Sequence, residues 1–182
     1  MKKIAITGHS RGLGAALEKK YLEQGNTVIG FSRSNGYDLR NWDCLQNMLD
    51  QCEDCDVFVN SAKPDFVQTT VLYELWKRWQ GTHRTIINIS TILTYLPSCP
   101  EHLGHDIGID FYRTAKVSLN EASAQLFSKN FLPRIILVKP SHLYSWPIND
   151  QDSNNLTRWV ETFFAVMQTM EQNNFNLKEI SF

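Results

Sequence analysis

Short apolar runs alternate along the chain with longer stretches in which apolar residues recur every three to four positions. Lys3-Ile4-Ala5-Ile6-Thr7 reads as a short buried strand, and Ala15, Ala16, Leu17, Tyr21 and Leu22 read as the inner face of a following helix. A second strand covers residues 27–32. Asn41 is placed to cap a helix over 42–51, and Asp56-Val57-Phe58-Val59-Asn60 is another buried strand. Val71, Leu72, Leu75, Trp76 and Trp79 stand at helical spacing within 69–80, whereas the β-branched run 85–90 returns to strand. The longest helix is expected over 110–129, then a strand over 134–139, a helix over 155–170 and a last strand within 175–182. Strand and helix alternate throughout, so crossover helices should cover both faces of one parallel sheet. The expected class is therefore α/β, doubly wound.

The first strand-to-helix turn carries Thr7-Gly8-His9-Ser10-Arg11-Gly12-Leu13-Gly14. Gly8 suits a tight turn, Gly12 lets the backbone approach a pyrophosphate, and Gly14 lets the helix pack closely on the sheet. Free amides at the helix start then face the phosphates. Glycines also mark ordinary turns, but their place between strand and helix makes this a Rossmann-like dinucleotide-binding turn.

The length of 182 residues fits one domain spanning 1–182, without a separate substrate domain. A formal net charge of -1 offers no broad basic surface, which argues against nucleic acid and anionic membrane as partners. No apolar run is long enough to cross a bilayer, and Met1-Lys2-Lys3 leads straight into the first strand without a cleavable apolar segment. A cytoplasmic location is expected. The four cysteines Cys44, Cys52, Cys55 and Cys99 do not form the framework of a small secreted domain, and two acids separate Cys52 from Cys55. Reduced thiols are the expectation. His102-x-x-His105-Asp106 has metal-like spacing but no further ligand cluster, so no metal is expected.

Four segments carry a resemblance: the Thr-Gly-x-x-x-Gly-x-Gly opening, Asn60-Ser61-Ala62, Asn88-Ile89-Ser90-Thr91, and Tyr112-x-x-x-Lys116. Together they resemble the short-chain dehydrogenase/reductase family in its small single-domain branch. The resemblance runs to about Ser145. Pro140-Ser141 stands for the family's Pro-Gly, and Leu143 and Ser145 match its next two cofactor-contacting positions. The glycine spacing and the lack of a second domain disfavour the nicotinamide-dependent epimerases of the extended branch.

Residues four apart share a helix face, so Tyr112 and Lys116 can converge on one point. A nearby ammonium favours the phenolate and is expected to lower the tyrosine pKa. The resemblance implies that Tyr112 passes a proton to or from the substrate oxygen and that Lys116 also holds the nicotinamide ribose. Alignment of Asn-Ile-Ser-Thr with the family's Asn-Ile-Ser-Ser puts Thr91 at the catalytic serine, with Ser90 as the fallback if the register shifts. The family's fourth catalytic residue, a helix asparagine that holds a relay water, has no clear counterpart, and Gln68 and Gln80 are poor substitutes. Lys63 stands where the family has glycine. It could crowd the cofactor or offer a charge to an anionic substrate, although an outward-pointing side chain is the expectation. The lengthened loop over 92–111 suggests a relocated pocket lined by Tyr95, His102, His105, His142, Tyr144 and Trp146.

Cofactor choice is marked by Arg11 inside the glycine turn and by Ser32-Arg33 at the end of the second strand, where an acid would bind a free ribose 2'-hydroxyl. Two guanidinium groups and a hydroxyl suit the 2'-phosphate of NADP(H), favoured over NAD(H), with Asp38 and Leu39 flanking the adenine. The expected activity is an NADP(H)-dependent reductase acting on a small-molecule carbonyl or alcohol. The rival reading is a dinucleotide-binding sensor or scaffold with reduced turnover. Kinship with relatives that pair the two long helices, together with Trp76, Trp79, Phe127 and Phe131 as surface aromatics, leads to an expected homodimer or homotetramer.

Overall fold

The computed structural model describes residues 1–63, 65–96, 107–129, 132–141 and 150–182, with the backbone alone at 107 and 150–152. Among these residues the apolar runs become six strands, β1 (Lys3–Thr7), β2 (Thr27–Phe31), β3 (Val57–Asn60), β4 (Thr85–Ile89), β5 (Arg134–Lys139) and β6 (Glu179–Ser181). They form one sheet in the order β2-β1-β3-β4-β5-β6, and every neighbouring pair is parallel. Five helices connect them: α1 (Gly12–Glu23), α2 (Trp42–Gln51), α3 (Val67–Trp79), α4 (Ile107–Lys129) and α5 (Asp150–Asn173). The fold is α/β, with a Rossmann-like, doubly wound sheet.

Alternation along each strand divides the apolar residues between two cores. Ile4, Ile6, Val57, Val59, Ile87, Ile89, Ile136 and Val138 point to one face, where they meet Leu17 and Tyr21 of α1 and Phe163 and Met170 of α5. Ala5, Phe58, Ile86 and Ile135 point to the other, against Leu49 of α2, Leu75 of α3 and Leu126 of α4. Both faces of a central parallel strand are thus buried, which is why these runs read as continuously apolar.

Several boundaries differ from the sequence pattern. α3 starts at Val67 and α4 at Ile107, earlier than expected, and α5 extends through the polar residues at both of its ends. Those extensions lie outside the apolar periodicity that a sequence reading follows. β6 is confined to three residues, which pair with Leu137–Lys139 of β5. Short 3-10 turns at Arg33–Asn35 and Ile92–Tyr95 were not expected. Asn41 does cap α2, its Oδ1 accepting from the amides of Asp43 and Cys44 at 2.9 and 3.1 Å.

Trp76, Trp79 and Phe127 are not the exposed aromatics expected for assembly. Trp79 is 1% exposed and belongs to the α2–α4 core, because it continues the stripe Val71, Leu72 and Leu75 one turn further. Trp76 packs against the same core and is half-buried, as is Phe127. Phe131, Cys99, His102, His105, Asp106, His142, Leu143, Tyr144, Ser145 and Trp146 lie outside the described residues.

The chain leaves β1 for β2 on one side and returns to β3 on the other. Connections therefore diverge at the carboxyl ends of β1 and β3, which opens a crevice at this switch point.

Candidate functional site

The glycine turn forms the floor of that crevice. Gly8 has φ 73° and donates its amide to Phe31 O at 2.7 Å, a left-handed conformation that favours glycine. A Cβ at Gly14 would lie 2.2 Å from Gly8 O, so α1 can sit this close to the turn only with glycine there. Thr7 Oγ1 accepts from the amides of Ser61 and Ala62 at 2.9 and 3.1 Å, pinning the loop after β3 against the turn. At the start of α1 the side chain of Arg11 makes no capping hydrogen bond. The first amides of that helix are therefore suited to an anionic ligand.

A cleft of about 880 Å³ crosses the carboxyl ends of the strands. Gly8, Ser10, Arg11, Gly12, Leu13 and Gly14 line it beside β1, and Ser32, Arg33, Asp38, Leu39 and Arg40 line it beyond β2. On the other side stand Ser61, Ala62 and Lys63 after β3, Ser90 and Thr91 after β4, Tyr112 and Lys116 on α4, and Pro140 after β5. Asn60 is the exception among the described cofactor candidates. Its side chain is buried, donating to Gln68 O at 2.9 Å and Asn88 Oδ1 at 3.0 Å, so it braces the strand ends from beneath.

Beyond β2, Asp38 accepts two hydrogen bonds from the Arg40 guanidinium, at 3.0 and 2.7 Å. These bonds hold its carboxyl down to about 2. Ser32 is occupied in the turn, its amide donating to Asn35 Oδ1 at 2.8 Å and its hydroxyl paired with Ser34 Oγ at 2.7 Å. Arg33 is exposed beside it. This end of the cleft thus presents guanidinium groups, with Asp38 held by Arg40 and Asp65 near enough to act on the same guanidinium.

On α4, Lys116 is 3% exposed, and its Nζ donates to Gln68 Oε1 and to Ile89 O, both at 2.6 Å. Gln68 Nε2 in turn donates to Asn60 O at 2.6 Å and Ile89 O at 3.1 Å. Burial, aided by the positive charge of Lys63, pushes the Lys116 ammonium down to about 7. The Thr91 hydroxyl favours the Tyr112 phenolate, yet burial outweighs it and raises the pKa above the ordinary value. The expected lowering of the phenol is therefore corrected. The Lys116 ammonium is directed at Gln68 and Ile89 O, and it stands 5.4 Å from the centroid of the tyrosine ring. Of the two hydroxyl candidates, Thr91 meets Tyr112, whereas Ser90 donates to Asn120 Oδ1 at 2.6 Å. Asn120 also donates to Thr94 Oγ1 at 2.8 Å, so Ser90 belongs to a brace between α4 and the turn after β4.

Three readings of individual residues change. Gln68, set aside as a poor counterpart of the missing asparagine, is the direct partner of Lys116. A signal was present: Gln68 lies three and four residues before Val71 and Leu72, a polar residue on the buried stripe of α3. Lys63 does not point away, because its Nζ stands 5.4 Å from the centroid of the Tyr112 ring. Tyr95 turns from the cleft to β6, where its hydroxyl meets the Glu179 carboxylate and Ser181 Oγ. Its ring covers Lys139 Nζ at 4.0 Å, and Lys139 pairs with Glu179 at 2.8 Å.

No family model and no curated protein matches the sequence. Solved structures match the fold. A short-chain dehydrogenase from Burkholderia cenocepacia J2315, in complex with NADP, has a TM-score of 0.70 at 16% identity over 99% of this chain and 87% of that one. An oxidoreductase (short chain dehydrogenase/reductase) from Brucella ovis has a TM-score of 0.70 at 18% identity, covering 100% of both chains. A 4-hydroxyisoleucine dehydrogenase complexed with NADH has a TM-score of 0.71 at 18% identity over 100% of this chain and 96% of that one. The chain thus has the fold of the short-chain dehydrogenases/reductases.

Proposed function

We propose that this chain is a short-chain dehydrogenase/reductase, an NADP(H)-dependent oxidoreductase acting on a small carbonyl or alcohol. One observation carries the reading: Tyr112 and Thr91 open into the same cleft as the glycine turn and Lys116. The residues present fit a nicotinamide dinucleotide. The close packing at Gly14 and the uncapped start of α1 suit its pyrophosphate, and Arg11 and Arg33 suit a 2'-phosphate. When bound, the nicotinamide supplies or accepts a hydride at the carbonyl carbon. Tyr112 Oη delivers the proton to the substrate oxygen in reduction and takes it back in oxidation. Thr91 orients that oxygen, and Lys116 serves the ribose.

Neighbours in fold are complexed with NADP in one case and NADH in another, so the preference here rests on the residues beyond β2. The guanidinium groups there, with Asp38 held by Arg40, favour NADP(H). A raised phenol and a depressed ammonium favour the second reading, a cofactor-binding sensor without turnover. Titration with NADPH and NADH, followed by absorbance after addition of aldehydes, ketones and quinones, separates the two. Oxidation establishes the reductase, and its loss in Tyr112→Phe with cofactor binding retained assigns the proton donor. Binding without oxidation of any compound favours the sensor. No binding refutes both.

A further inference from the structure

Lys63 follows Ser61 and Ala62, whose amides are fixed to Thr7 Oγ1, so the backbone that carries it is anchored to the glycine turn. Its exposed side chain lines the cleft, with Nζ 5.4 Å from the centroid of the Tyr112 ring. Lys116 Nζ lies at the same 5.4 Å but is committed to Gln68 and Ile89 O. Lys63 makes no ion pair among the described residues. Asp65, two residues on, lines the same cleft without pairing with it. The Tyr112 ring is therefore overlooked by a cation that pairs with no described acid.

We infer that Lys63 recognises an anionic group on the substrate, and that the substrate is an oxo acid or the matching hydroxy acid. The substrate carboxylate pairs with Lys63 Nζ while the carbonyl oxygen a few atoms away meets Tyr112 and Thr91. Two features suit this role. An ammonium on a flexible stem reaches a carboxylate without the fixed planar geometry that a guanidinium imposes. Its charge also lies close enough to Lys116 to help hold that ammonium below its ordinary range, a repulsion that an incoming carboxylate relieves. The inference rests on the oxidoreductase reading.

The experiment compares the parent protein with Lys63→Met and Lys63→Arg, using 2-, 3- and 4-oxo carboxylates and their methyl esters with NADPH. The ratio of kcat/KM for acid over ester should fall roughly tenfold or more in Lys63→Met, mainly through KM, and recover substantially in Lys63→Arg. In parallel, calorimetry on the NADPH-loaded protein follows binding of the saturated carboxylic acids, which cannot be reduced. Their binding should weaken by a similar factor in Lys63→Met. An unchanged acid-to-ester ratio overturns the inference, as does a parent protein that prefers the esters. Weaker NADPH binding in Lys63→Met with that ratio unchanged assigns Lys63 to the cofactor instead. If none of these compounds is reduced while an aldehyde, ketone or quinone is, the inference fails and the oxidoreductase reading stands; if no carbonyl at all is reduced, that reading fails, and the calorimetry alone decides whether Lys63 binds carboxylates.

Discussion

Replacing Lys116 with methionine should stabilise the protein at acid and neutral pH and lose that advantage in alkali. The ammonium has an ordinary pKa of 10.5 in an unfolded chain and is pushed down to about 7 in the fold. Between these values the unfolded chain holds a proton that the folded one has released, so stability rises with pH across this window. The slope approaches ~1.4 kcal/mol per pH unit, and the full depression amounts to ~5 kcal/mol. Below the lower value both states are protonated and the whole penalty is present; above the upper value it is gone. Methionine keeps the unbranched stem, one atom shorter, and removes the charge. It also surrenders the hydrogen bonds to Gln68 Oε1 and Ile89 O, a loss that subtracts a nearly constant amount in the acid range. Urea unfolding of both proteins without cofactor, from about pH 6 to about pH 10, measures the difference. Tyr21, whose phenol burial pushes up out of this range, is common to both proteins and cancels in the difference. The variant-minus-parent stability should fall by several kcal/mol between the two ends. Curves that stay parallel within ~0.5 kcal/mol would refute the account of burial and charge at Lys116.

Other outcomes follow from the same geometry. Gln68→Leu removes the Lys116 contact and two donated bonds, and should cost ~3–5 kcal/mol in urea unfolding near neutral pH. Gly14→Ala places a methyl 2.2 Å from Gly8 O, forcing α1 off the turn. A loss of ~1–3 kcal/mol is expected, seen as a lower Tm, together with weaker dinucleotide binding in a fluorescence titration. Arg33→Ala should reduce the preference for NADPH over NADH by roughly tenfold or more, read as the ratio of their Kd values. An unchanged ratio would move the 2'-phosphate contact elsewhere.

The doubly wound fold was legible because its signals are local and repeated. Strand runs such as Phe58-Val59 and Ile86-Ile87, the Asn41 cap and the glycine turn each act within a few residues. The register of α4 was equally legible, since Tyr112 and Lys116 share a face at four-residue spacing. What escaped was the direction and pairing of side chains brought in from distant segments. Gln68 meets Lys116 across 48 positions, and Ser90 meets Asn120 across 30. Trp79 looked like surface because a helix pattern shows a stripe without saying what covers it, and here it enters the α2–α4 core with the Arg84 guanidinium over its ring.

The sequence by itself determined the alternation of strands and helices, the turn that only glycines can make, and the placing of a tyrosine and a lysine on one helix face. These depend on backbone sterics and helical or strand period, which act over short spans of chain. The tertiary structure decided the chemistry of those groups. Burial raises the Tyr112 phenol and depresses the Lys116 ammonium, against the simple expectation for a tyrosine beside a lysine. It also turns Lys63 over the Tyr112 ring and commits Lys116 to Gln68. Desolvation and charge pairing depend on distances through space, and those exist only once β3, β4, α3 and α4 have packed together.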